Sequence, residues 1–140
     1  MDNNTDRNAP QVAEALPKQI HVLLIDDDEA LLRLFGGYLK TAGFEVIYAH
    51  DGDSGREMAR RFQPDLVLLD LTLPGMDGYE VGSRLKSEEA TKHIPVVILT
   101  SADASPEAQQ LFKDSGMEAY LHKSIEAKDL IARIKEILKI

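Results

Sequence analysis

Residues 65–80, Asp-Leu-Val-Leu-Leu-Asp-Leu-Thr-Leu-Pro-Gly-Met-Asp-Gly-Tyr-Glu, constrain this chain more than any other stretch. Leu66, Val67, Leu68 and Leu69 form an unbroken apolar run of strand length, the pattern of a central strand covered on both faces. The run ends in Asp70, and a desolvated carboxylate is costly unless it is paired or metal-bound. Leu-Pro-Gly-Met-Asp-Gly follows at once, a dense turn signal. Ligand sites of open α/β sheets lie beyond the carboxyl ends of the strands. Asp70 is therefore a candidate reactive group, although alone it reads equally well as the cap of the next turn.

The same pattern recurs along the chain. His21-Val-Leu-Leu-Ile25 runs into Asp26-Asp27-Asp28-Glu29, Ile94-Pro-Val-Val-Ile-Leu99 into Thr100-Ser101, and Ala119-Tyr-Leu-His122 into Lys123. Three more strand ends thus deliver carboxylates, a hydroxyl and an ammonium to the kind of position that Asp70 holds. With these residues in this order, the sequence from about 19 to 140 resembles the receiver domain of two-component response regulators, in particular the stand-alone, chemotaxis-regulator-like kind. The resemblance is carried by the acid pair Asp26-Asp27, by Asp70 with Leu-Pro-Gly-Met-Asp-Gly behind it, by Thr100, and by Lys123.

Residues 1–18 are polar and aperiodic and read as a loose tail, with a short helical turn near Val12–Leu16 at most. The first strand is expected over residues 19–25. A helix follows with its apolar stripe at Leu31, Leu34, Phe35, Tyr38, Leu39 and Ala42, and Gly43 stops it. Gly36-Gly37 inside that helix costs stability relative to alanine, for which close packing on the sheet is one explanation. A second strand spans residues 44–49, and a weaker helix spans 53–62 until Gln63-Pro64 ends it.

The third strand is read as 65–70. Asp77 and Glu80 form an acidic variant of the capping box, opening a helix to about residue 87. A strand at 96–100 precedes Ser105-Pro106, an N-cap and first helical position for a helix reaching Ser115-Gly116. Last come a strand at 119–122 and a helix striped by Leu130, Ile131, Ile134, Ile137 and Leu138. Strand–helix alternation implies a parallel sheet with helices on both faces. The resemblance implies a flavodoxin-like (βα)5 three-layer α/β sandwich with strand order 2-1-3-4-5.

Composition bounds the function. A net charge of -8 speaks against a broad nucleic-acid-binding surface. There is no cysteine, hence no disulfide and no thiolate metal site. No apolar run is long enough to span a bilayer, and no signal-peptide pattern opens the chain, so neither membrane insertion nor secretion is expected. The expectation is a cytoplasmic protein without its own DNA-binding output module.

The resemblance also implies a chemistry. Asp27 and Asp70 would ligate Mg2+ directly, the Thr72 backbone carbonyl would add a ligand, and Asp26 would act mainly through water. Asp70 would accept a phosphoryl group from a histidine kinase or histidine phosphotransfer protein, with Thr100 and Lys123 meeting the phosphoryl oxygens. Tyr120 stands where the family has an aromatic switch residue, and the output would pass to a downstream protein target. The chain would then be a phosphoacceptor signalling protein rather than an enzyme.

Taken singly, Lys123 reads as a solvated strand-end lysine and Thr100 as a β-branched core residue; their joint occurrence with Asp70 favours the functional reading. Asp28 is read as a helix cap. None of His21, His50, His93 and His122 has ligand spacing.

The chain departs from the family at one point. Ser124 follows the lysine where the family has proline in a cis peptide bond, and a trans bond is expected here because cis costs a non-proline residue roughly 2.5–4 kcal/mol. Thr72 and Ala102 occupy positions that tune phosphoryl lifetime in the family. Three rival readings stand beside this one. A haloacid-dehalogenase-like phosphatase would need Asp28 as an essential acid, a flavodoxin would need a hydroxyl- and glycine-rich phosphate loop, and a phosphorylation-independent adaptor would not need the acids at all.

Overall fold

A computed structural model describes residues 19–140; the expected tail over 1–18 lies outside the described residues. Strands and helices alternate: β1 His21–Ile25, α1 Glu29–Thr41, β2 Glu45–Ala49, α2 Gly52–Phe62, β3 Leu66–Asp70, α3 Gly78–Ser87, β4 Val96–Thr100, α4 Pro106–Asp114, β5 Ala119–His122 and α5 Ala127–Leu138. The five strands form one parallel sheet in the order 2-1-3-4-5.

Strand alternation sends successive side chains to opposite faces, and each face has its own core. Val22, Leu24, Leu66, Leu68, Val97 and Leu99 pack with Phe35 and Leu39 of α1 and with Leu130 and Ile134 of α5. Leu23, Ile25, Val67, Leu69, Val96 and Ile98 pack with Ala59 of α2, Val81 and Leu85 of α3, and Phe112 of α4. All five residues of β3 and of β4 are buried, as expected of central strands covered on both sides. The sandwich is thus the flavodoxin-like one.

The helix starts follow the expected cap chemistry. Asp28 Oδ1 accepts from the Ala30 and Leu31 N–H groups at 3.0 and 3.4 Å, and the Ser105 hydroxyl accepts from Ala108 N–H at 3.1 Å. Asp77 Oδ1 accepts from Glu80 N–H at 2.8 Å. The capping box is only half made, because the Glu80 carboxylate pairs forward with Arg84 at 2.7 Å instead of reaching back. Gly43, at φ +94, ends α1 as expected.

Two corrections concern α1 and its surroundings. Leu34, placed above in the apolar stripe, is 51% exposed, while Leu32 is buried and takes its place in the core. Leu31, Leu32, Leu34 and Phe35 offer two nearly equal apolar faces, and periodicity alone does not choose between them. The strand and helix edges also shift by a residue or two, so that residues 19, 20, 44 and 65 lie outside the ladders and Gly52 lies inside α2.

Candidate functional site

Register brings the strand ends together. Ile25 of β1 pairs with Leu69 of β3, so Asp26 and Asp70 emerge side by side at the carboxyl edge. Asp70 pairs with Leu99, and Thr100 pairs with His122. Backbone bonds continue the ladder past the strands, from Asp26 N–H to Ala49 O at 3.0 Å, Leu71 N–H to Leu99 O at 2.9 Å and Lys123 N–H to Thr100 O at 2.8 Å. Acids, hydroxyl and ammonium therefore occupy one edge of four neighbouring strands.

Asp26 is wholly buried, Asp70 is 3% exposed, and Asp27 is exposed. Each offers one oxygen to a cluster in which all three lie within 4.8 Å of one another. Lys123 Nζ is 2.8 Å from Asp70 Oδ1, which also accepts the Thr72 N–H at 3.2 Å. The Asp28 N–H donates to Asp26 Oδ1 at 2.9 Å. Asp26 Oδ2 lies 3.4 Å from Lys123 Nζ but without hydrogen-bond alignment, so this buried oxygen has no hydrogen-bond partner among the described residues.

Asp26 and Lys123 each favour the other's charge, but burial prevails at Asp26 and not at Lys123. Burial pushes the Asp26 carboxyl above its ordinary range, the Asp70 charge adds to this, and the Asp28 N–H and Lys123 do not offset it. Burial pulls the Lys123 ammonium down, but its hydrogen bond to Asp70 and the Asp26 charge more than offset that, leaving its pKa above the ordinary lysine value.

The loop after β3 is held against the site from behind. Gly78 N–H donates to Leu71 O at 2.6 Å, and a Cβ at Gly78 would lie 2.1 Å from the Asp70 carbonyl oxygen. Only a glycine fits that close an approach of backbone to backbone. The Asp-Gly of the turn signal is thus part of what fixes Asp70 in place.

Thr100 is buried, and its hydroxyl faces the main chain of Ala102, donating to Ala102 O at 3.2 Å and accepting from Ala102 N–H at 3.1 Å. Between Thr100, Ala102, Ala104, Gln109, Tyr120 and His122 lies a recess of about 260 Å³. The half-buried Tyr120 ring lies tilted against that of Phe112, with centroids 6.0 Å apart.

A sequence profile of the response regulator receiver domain matches residues 22–135. The chain belongs to the response regulator receiver family. It is 41% identical over 118 residues to the DNA-binding dual master transcriptional regulator RpaA of Synechocystis sp., covering 84% of this chain but 48% of that protein. It is 35% identical over 117 residues to the polar-differentiation response regulator DivK of Brucella ovis, covering 84% of this chain and 94% of DivK. This chain thus spans about half of RpaA but nearly all of DivK. Among solved structures, the BeF3-activated N-terminal receiver domain of Klebsiella pneumoniae RstA superposes with a TM-score of 0.78 at 32% identity, covering 86% of this chain and 99% of that one.

Receiver domains of response regulators take part in two-component signalling and interact with histidine kinases or phosphotransferases. They generally bind Mg2+ at an acidic pocket, and the residues here fit such an ion. Three carboxylates converge with one buried oxygen left unbonded, and a hard divalent cation takes oxygen ligands.

The structure brings Asp26, Asp27, Asp70, Thr72 and Lys123 to one spot and leaves the Thr100 hydroxyl turned toward Ala102. Asp28 lies outside the cluster, with its Oδ1 on the α1 cap. The Lys123–Ser124 peptide is trans, as expected, and Lys123 still reaches Asp70. His122, without ligand spacing in the sequence, accepts the Ser124 N–H on its Nδ1, and the one sequence signal for this is that residue 124 is not a proline and keeps an N–H to donate. Among the described residues no helix is long and apolar enough to cross a membrane.

Proposed function

We propose that residues 19–140 act as a phosphoacceptor switch in which Asp70 takes a phosphoryl group from a phosphohistidine. A carboxylate oxygen of Asp70 forms the new P–O bond as the P–N bond to the donor imidazole breaks, and that nitrogen keeps the electron pair. The observation that carries the reading is Lys123 Nζ at 2.8 Å from Asp70 Oδ1, inside a cluster of three acids. An ammonium there sits where it can meet charge developing on the phosphoryl oxygens.

Asp27, Asp70 and the Thr72 carbonyl would hold Mg2+ directly and Asp26 through water, and the ion supplies charge neutralisation for the phosphoryl oxygens when bound. The chain's own part is to hold Asp70 rigid through Gly78, to keep it nearly water-free, and to keep Lys123 beside it. The Thr100 hydroxyl, now on the Ala102 main chain, would turn to the phosphoryl group, and Tyr120 would turn into the recess beside it. The face of α4, β5 and α5 would then change its affinity for a downstream protein, a population shift driven by about -1.5 to -2 units of added charge. The histidine kinase or phosphotransfer partner and the protein target are cytoplasmic on this reading, and no direct DNA contact is part of it.

The test is acyl-phosphate chemistry. With Mg2+ and a small phosphodonor, the wild type is expected to gain hydroxylamine-labile phosphate and Asp70→Asn none. Equal labelling of the two would sink the assignment.

A further inference from the structure

His122 takes no part in the reaction above, yet its ring joins two segments that do. Its Nε2 lies 3.1 Å from the Ser101 carbonyl oxygen. Its Nδ1 lies 3.1 Å from the Ser124 backbone nitrogen and 2.7 Å from the Ser124 hydroxyl. A backbone N–H can only donate, so Nδ1 is the acceptor, and Nε2 carries the ring proton that goes to Ser101. One imidazole therefore ties the residue after Thr100 to the residue after Lys123.

The main chain gives this tie its purpose. Ile125 N–H donates to His122 O at 3.0 Å, closing a turn whose two central residues are Lys123 and Ser124. The ring of the first turn residue takes the N–H of the third, much as an Asx side chain does. Ser124 is necessary to that arrangement through its main chain, because a proline has no N–H to give. On the other side, the segment between β4 and α4 is exposed and lacks regular structure. Thr100 and Lys123 stand on different strands, and the Thr100 partner Ala102 belongs to that irregular segment.

We propose that His122 is a positioning residue, a clasp between Ser101 and Ser124 that sets the spacing of Thr100 and Lys123 across the phosphoryl site. The proposal rests on the phosphoacceptor reading of Asp70. Hydrogen bonds at an exposed side chain count for little in global stability. Small displacements of positioned groups count for much in rate. The clasp is therefore a matter of rate, not of folding.

Phosphoramidate with Mg2+ is the probe, and hydroxylamine-labile phosphate on Asp70 is the readout, followed against phosphoramidate concentration. For His122→Ala we expect a maximal labelling rate about tenfold lower, an unchanged half-saturating concentration and an unchanged thermal midpoint. His122→Asn, which keeps an acceptor near the Nδ1 position for the Ser124 N–H but no donor at the Nε2 position, recovers part of the rate. Ser124→Ala, which keeps the N–H, stays close to wild type. A wild type that takes up no label overturns the phosphoacceptor reading and this proposal with it. A labelled wild type matched by His122→Ala overturns the clasp alone, as does a loss in His122→Ala that follows the thermal midpoint or that asparagine leaves unrelieved.

Discussion

Asp26 has no exposed surface and, among the described residues, one oxygen without a hydrogen bond, so its charge destabilises the fold unless something else compensates it. Burial raises its pKa, and the folded state then holds the proton at pH values where the unfolded chain, titrating near about 3.9, has released it. The folded state binds more protons, so stability falls as pH rises through this window, and the penalty is complete above the folded pKa. Without divalent cations, Asp26→Asn is expected to stabilise the fold at pH 7.5 by about 1–3 kcal/mol, the scale of one unsatisfied buried group. The gain should shrink toward pH 4. Urea unfolding at both pH values checks this, and a less stable variant at pH 7.5 would contradict it. The acid pair itself was plain in the sequence, but its division was not. Neighbouring residues face opposite ways, and only the sheet decides that Asp26 turns inward and Asp27 outward. The His122 clasp was hidden for a stronger reason, since Ser101 is 21 residues away in the chain.

At the scale of elements, the strands were the easiest to read and α1 the hardest. Continuous apolar runs such as Leu66–Leu69 admit one interpretation, whereas a helix with four apolar residues in five can turn either face inward. What settles α1 is tertiary. A Cβ on Gly36 would lie 2.2 Å from the Tyr48 hydroxyl, so that face lies against β2, while a Cβ on Gly37 would meet nothing within 4 Å among the described residues. Close packing thus accounts for Gly36 but not for Gly37. Gly37→Ala is expected to stabilise the protein by about 0.8–1 kcal/mol, the alanine–glycine difference in a helix interior. Gly78→Ala should do the opposite, costing about 1–3 kcal/mol by overpacking against the Asp70 main chain, which cannot swing aside. Chemical denaturation of the two variants decides both signs. A destabilised Gly37→Ala would mean that its open face is covered by something in solution.

For the molecule as a whole, folding itself creates the charge problem. The unfolded chain disperses Asp26, Asp27 and Asp70, while the 2-1-3-4-5 sheet gathers one oxygen of each within 4.8 Å, in a protein of net charge -8. Lys123 relieves only part of this, because Asp26 stays raised despite it. A cation that recognises the assembled site binds the folded state and not the unfolded one, so it must raise stability by mass action. Free Mg2+ at a hundred times its dissociation constant should add about 2.7 kcal/mol, and a chain of this size should respond with a rise of several degrees in thermal midpoint. Sodium chloride at matched ionic strength separates this from screening, which weakens repulsion between exposed charges without needing a site. Asp27→Asn should lose most of the Mg2+ response while keeping the salt response, and chelation should reverse the shift in the wild type. Equal effects of Mg2+ and matched salt would mean that the gathered acids are tolerated as they stand, with Lys123 and the Asp28 and Thr72 N–H groups compensating them.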